Sequence, residues 1–162
     1  MKKIILFAAI GLLFASCKKT SSGTITTTNT LTATAFGDNF NFNTDFYTES
    51  YLNNSTAPYD PSFYAYAYDS LGYYMEVEVY GYYTNNLATK LYGALSDSTT
   101  STYGEFYNPS GNDYYYNTST TNPFTVTLTS IGTSIQGTYK GTLFDGSGDS
   151  VVITNGKFNI IQ

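Results

Sequence analysis

Apolar and polar positions alternate with a period of two along much of the chain, and no stretch after residue 20 sustains a helical period. Leu31 to Phe36 reads as a short strand and Gly37-Asp38 as a turn. Asn39 to Phe42 returns with Phe40 and Phe42 on one face, which completes a hairpin. Residues 53–61, with Asn-Asn-Ser-Thr and two prolines, read as a loop. In Ser62 to Tyr68 the residues Phe63, Ala65 and Ala67 share one face, and Tyr64, Tyr66 and Tyr68 the other. Asp69 to Gly72 is a turn. Tyr73 to Tyr83 then turns Met75, Val77 and Val79 inward and Glu76, Glu78, Tyr80 and Tyr82 outward, giving a second hairpin.

Residues 84–122 carry the weakest pattern, with Lys90 to Leu95 and Thr102 to Tyr107 as candidate strands and Pro109 to Asp113 as a turn. Further on, Phe124 to Thr129 alternates apolar residues with Thr. Ser134 to Phe144 is a strand whose Gly137 and Gly141 predict a bulge or close packing. Asp145 to Asp149 is a Gly-rich turn, and Val151 to Thr154 and Lys157 to Ile161 flank Asn155-Gly156. The spacing predicts an all-β fold: a single antiparallel β-sandwich or barrel-like domain of about eight to ten strands. There is no βαβ pattern and no long repeat.

The N-terminus follows a different rule. Lys2 and Lys3 precede an apolar run, Ile4 to Phe14, broken only by Gly11, and Ala15 and Ser16 are small. This is the tripartite pattern of a secretory signal, and the run is shorter than the roughly 20 residues a membrane-spanning helix needs. The stretch Leu13-Phe14-Ala15-Ser16-Cys17 resembles the lipobox of bacterial lipoproteins, with Phe14 where that family usually has Leu. The resemblance implies cleavage before Cys17, acylation of its thiol and a stable membrane anchor. Cys17 is the single cysteine, so no disulfide competes for it. The expected organisation is a signal peptide over residues 1–16, a lipidated cysteine and Ser/Thr-rich tether over 17–30, and a β domain over 31–162.

Composition narrows the function. The seven basic residues are all Lys, the acids number 12, the net charge is −5 and there is no His. Clustered Lys or Arg is what a phosphate-binding surface requires, so nucleic acid and anionic headgroups are poor partners. The acids are scattered along the sequence, which reads as solubility rather than a site. Without His, and with Cys17 committed to the anchor, a Ser–His–Asp triad and the common Zn ligand sets are excluded. No catalytic residue, metal site or cofactor is assigned.

The C-terminal stretch Ile135 to Leu143 (IQGTYKGTL), then Asp145-Gly146-Ser147-Gly148, then Val151 to Ile160 (VVITNGKFNI) resembles the ending of a group of β-rich envelope lipoproteins of Bacteroidota-type bacteria. Those proteins often open with a strand–Gly–strand hairpin, which Ala33 to Asn43 matches, with Phe40 or Phe42 in place of their usual Trp. The resemblance covers the last 40 or so residues well and the remainder in outline. It implies a β-sandwich-like lipoprotein of the outer membrane, on its periplasmic or its outer side, and brings no catalytic residues.

Three features remain as candidate chemistry. Tyr64, Tyr66, Tyr68, Tyr80 and Tyr82 offer flat apolar faces with hydroxyls, suited to a glycan or an envelope-protein partner. The other role for them is cross-strand pairing, which the spread of Tyr along the whole chain favours. Glu76 and Glu78 have the spacing of a glycosidase pair, but their alternation with Met75, Val77 and Val79 predicts a solvated outer face. Asp145 to Asp149 offers oxygens that suit Ca²⁺, yet reads first as a hairpin turn. Finally, Asp69-Ser70-Leu71, Asp97-Ser98-Thr99 and Asp149-Ser150-Val151 resemble an O-glycan acceptor pattern of Bacteroidota-type envelopes, with Ser70, Ser98 and Ser150 in expected turns or loops.

Overall fold

The computed structural model describes residues 28–51, 62–81, 87–93, 100–115 and 121–162. These form eleven strands: β1 (Thr30–Ala35), β2 (Asp38–Phe42), β3 (Thr44–Tyr51), β4 (Ser62–Tyr68), β5 (Tyr74–Gly81), β6 (Leu91–Tyr92), β7 (Thr100–Asn108), β8 (Asn112–Tyr115), β9 (Thr125–Ser130), β10 (Ser134–Phe144) and β11 (Ser150–Ile161). No described residue is helical, so no helix among them is long and apolar enough to cross a membrane.

A continuous ladder runs β2-β1-β11-β10-β8-β7-β5-β4-β3, with β9 added to β10 and β6 to β9. It folds over into two antiparallel sheets packed as a sandwich, and it does not close into a barrel. Strand β10 belongs to both halves. Gln136 to Lys140 pair with β9, whereas Phe144 alone pairs with Tyr115 of β8. At the other end Asn43 separates β2 from β3, and its N–H donates to the Tyr68 carbonyl at 2.9 Å, which fixes the corner.

The alternation read from the sequence explains the core. Phe63, Ala65 and Ala67 of β4 and Met75, Val77 and Val79 of β5 are fully buried. They face Leu31, Ala33, Phe42, Ile153, Phe158 and Ile160 of the other sheet in one apolar cluster. Phe63 stacks on Phe158 with ring centroids 5.0 Å apart, joining the layers directly. Each of the Phe, Met, Val, Leu and Ile side chains contributes about 1.5–3 kcal/mol on burial, and each alanine less. Tyr139 lies in this core because its hydroxyl donates to the Thr32 carbonyl at 2.9 Å, and burial pushes its phenol well up.

Two expectations shift by local chemistry. The first turn is Phe36-Gly37, not Gly37-Asp38, since Asp38 already pairs with Ala35. Both turn residues have positive φ, 53° and 89°, as a two-residue hairpin loop of matching twist requires. Phe36, 53% exposed, lays its ring edge-on to Phe106 and Tyr114. The C-terminal segment is one strand, not two. Asn155 takes φ 52° as the extra residue of a bulge, where the register to β10 slips between Tyr139 and Gly141.

Candidate ligand-binding face

Strands β3, β4, β5 and β7 are adjacent, and their outward residues form a lattice of Tyr and Glu. Directly opposed residues of an antiparallel ladder share a face, so the register gives its rows. Tyr68, Tyr74 and Tyr107 form one row. The next is Tyr47, Tyr66, Glu76 and Glu105; then Glu49, Tyr64, Glu78 and Tyr103; then Tyr51, Ser62, Tyr80 and Ser101.

The sequence device behind the lattice is a repeated Tyr-x-Glu. It occurs as Tyr47-Thr-Glu49-Ser-Tyr51 in β3, as Tyr74-Met-Glu76-Val-Glu78-Val-Tyr80 in β5 and as Tyr103-Gly-Glu105-Phe-Tyr107 in β7. Residues two apart in a strand sit about 6.5–7 Å from each other on one face, a span the tyrosine ring bridges. Tyr47 donates to Glu49 at 3.3 Å, Tyr80 to Glu78 at 2.9 Å and Tyr103 to Glu105 at 3.0 Å. Tyr51 donates to Glu49 and Tyr74 to Glu76 in the same way. Each phenol is thereby held along its own strand. Between these strands, the rings of β4 pack on their neighbours: Tyr47 stacks on Tyr66 at 5.3 Å, and Tyr66 meets Tyr74 at 5.5 Å.

The electrostatics are those of crowded carboxylates. Glu76 is only 8% exposed. Burial raises its carboxyl to about 7; the hydroxyls of Tyr74 and Tyr64 oppose the rise, and Glu78 and Glu105 add to it. Burial also raises Glu78, against the hydrogen bond from Tyr80. The phenols of Tyr74, Tyr64 and Tyr103 are all raised, in each case first by burial, so they remain donors throughout the physiological range.

Two open troughs mark the face. One of about 510 Å³ is lined by Asp45, Tyr66, Tyr68, Tyr74, Glu105 and Tyr107, and one of about 310 Å³ by Glu49, Tyr51, Ser62, Glu76, Glu78 and Tyr80. Tyr64 is a wall of both. A larger concavity, about 610 Å³, lies elsewhere, over β9 to β11, with Thr127, Thr138, Lys140 and Lys157 on its wall. Size alone does not choose between them. The Tyr–Glu face combines stacking surfaces with fixed acceptors, and the larger hollow does not.

The structure therefore brings Tyr64, Tyr66, Tyr68 and Tyr80 onto one face, as the sequence predicts. The partners differ: the residues opposite the β4 stripe are Glu78, Glu76 and Tyr74, while Tyr80 lies opposite Ser62. Glu76 is not on a solvated surface, because Tyr66 and Glu105 flank it from adjacent strands and Tyr74 lies over its carboxylate. Nor are all the acids scattered, since the four glutamates converge here. Tyr47, Tyr51, Tyr74, Tyr103, Tyr107, Glu49 and Glu105 join the site unforeseen, although the Tyr-x-Glu repeat signals them. Cys17, Tyr82 and Ser98 lie outside the described residues. Ser70 is exposed in its turn; Ser150 is exposed but is the first residue of β11, opposite Phe144.

Among the described residues no group of three or more acidic, His or Cys side chains is placed to hold a metal ion. In the Asp145 turn one carboxylate oxygen accepts from the Ser147 and Asp149 N–H groups at 2.9 and 2.8 Å, and the other from the Ser147 hydroxyl at 2.7 Å. Those bonds hold its carboxyl below the usual range and make it a turn anchor. Comparison with protein-family models, curated proteins and solved structures gives no match for this chain.

Proposed function

We propose that this is a non-enzymatic lipoprotein of the outer membrane, anchored through Cys17, whose Tyr–Glu face binds a glycan. The observation that carries the binding reading is the lattice itself. Rigidly held phenol rings offer flat surfaces for sugar rings, and oriented carboxylates accept sugar hydroxyls. The anchor rests on the lipobox resemblance, the short apolar leader and the single cysteine.

A carboxylate-dependent glycosidase is the second reading, favoured by the raised carboxyl of Glu76. Against it, Tyr74 and Tyr64 already engage that carboxyl, and Glu105 is its neighbour on the next strand of the same sheet rather than across a cleft.

Two measurements test the proposal. The intact mass of protein from its own membrane should correspond to the chain from Cys17 plus acyl groups, and further hexose-sized increments would report O-glycans, for which Ser70, Ser98 and Ser150 are the candidates. An unmodified chain retaining residues 1–16 would remove the anchor. For binding, retention on a panel of immobilised polysaccharides should fall more than about tenfold in Tyr64→Ala, the ring shared by both troughs. Equal retention of wild type and variant, with both folded, would remove the face as the site.

A further inference from the structure

The carboxylates of this face are more than a sugar hydroxyl needs. The two central rows hold only Tyr and Glu, although Asn, Ser and Thr are abundant in the chain and accept hydrogen bonds without charge. Glu76 and Glu105 stand directly opposite each other, an arrangement that like charges make unfavourable. Asp45 adds a further acid at the edge of the larger trough. Among the described residues no lysine lines either trough: Lys140 and Lys157 lie on the other sheet, and the Lys90 ammonium sits 4.9 Å over the Tyr92 ring. The face is thus built to be completed by positive charge. An ammonium seated there meets carboxylates and the faces of fixed tyrosine rings together, and both attract it.

Resting on the glycan reading above, we propose that the ligand is a polycationic glycan, a chain of amino sugars bearing free ammonium groups. The fold favours such a chain over a basic peptide. Over β4 and β5, the centre of the face, both backbone edges are paired, so an extended peptide lying there finds no main-chain groups to join. A glycan needs none. Its ring faces stack on tyrosine while its ammonium groups reach Glu49, Glu78 and Glu105, the glutamates of the face that are not buried. The two troughs, meeting at Tyr64, give an extended chain consecutive seats.

The test is calorimetric titration of the full mature lipoprotein in neutral detergent with three probes of equal length. These are a glucosamine oligomer, its fully N-acetylated counterpart and oligolysine. The glucosamine oligomer should bind at least about tenfold more tightly than either. Glu49→Gln with Glu78→Gln should abolish that preference without lowering the unfolding midpoint. Equal affinity for the amino and N-acetylated oligomers would overturn this inference and leave the glycan reading standing. Oligolysine binding as tightly as the amino oligomer would also overturn it, since the face would then read charge alone. Binding of neutral polysaccharides but neither glucosamine oligomer would do the same, whereas no glycan binding at all would end both proposals.

Discussion

Glu76→Gln is expected to stabilise the protein at pH 8 by about 2–3 kcal/mol and to remove most of its loss of stability between mildly acidic and alkaline pH. In the unfolded chain this carboxyl ionises near its ordinary value of 4.5; in the fold it does so near 7. Between those values the folded protein holds a proton that the unfolded chain has released. Stability is therefore fully present below about pH 4.5 and declines as pH rises through 7. The cause is placement: Glu76 is buried, pairs across the ladder with Tyr66 and Glu105, and has Glu78 two residues along its own strand. A glutamine keeps the shape and an oxygen for the Tyr74 hydroxyl while removing the charge. Glu78, raised in the same direction, leaves a smaller decline in the variant. Urea unfolding of both proteins at pH 5 and pH 8 measures the effect. Parallel declines in the two would show that the strain of charge does not reside at Glu76.

That prediction depends on a burial that the sequence pattern hides. Alternation places Glu76 outward, opposite the inward Met75 and Val77, and outward it is. What buries it is Tyr74 of its own strand with Tyr66 of β4 and Glu105 of β7, and β7 lies in the least patterned stretch of the chain. Strands with two unlike faces are legible: Ser62–Tyr68 and Ser134–Phe144 have the bounds that their alternation predicts. Edge strand β3 is not, because none of its residues is fully buried and neither face is clearly apolar. Asn155-Gly156 misleads in a different way. The pair suits a turn, but it also suits a bulge, and the long ladder from Ser134 to Ile161 selects the bulge. The site was legible as one stripe of tyrosines. Its glutamates became part of it only when the register of four strands was known.

Gly141→Ala is expected to cost about 3–5 kcal/mol, overpacking and backbone strain together. Strand β10 must leave β9 and reach β8 within a few residues, and Gly141 is where it does so, with φ at 150°. A β-carbon there would meet the Cα of Phe124, the Phe124 nitrogen at 2.6 Å and the Pro123 carbonyl oxygen at 2.6 Å. All three are backbone atoms, so no side chain can swing aside. The segment is also tied down. Thr142 N–H donates to the Asn122 carbonyl at 3.0 Å, and the Asn122 amide donates to the Thr142 hydroxyl at 2.8 Å. Phe124 itself is fully buried, the tip of its ring lying where a side chain on Gly104 of β7 would project. Moving it opens the contact between the sheets. Gly148→Ala separates strain from collision: its φ is 97°, yet nothing lies within 4 Å of the added carbon, so backbone strain alone should cost about 1–2 kcal/mol. Urea midpoints of the two variants decide the matter. If Gly141→Ala loses no more than Gly148→Ala, close packing at the crossing is not what joins the sheets. If the larger loss is found, the strand that carries the chain between sheets also sets the position of β7 and β8, and with it the Tyr–Glu face.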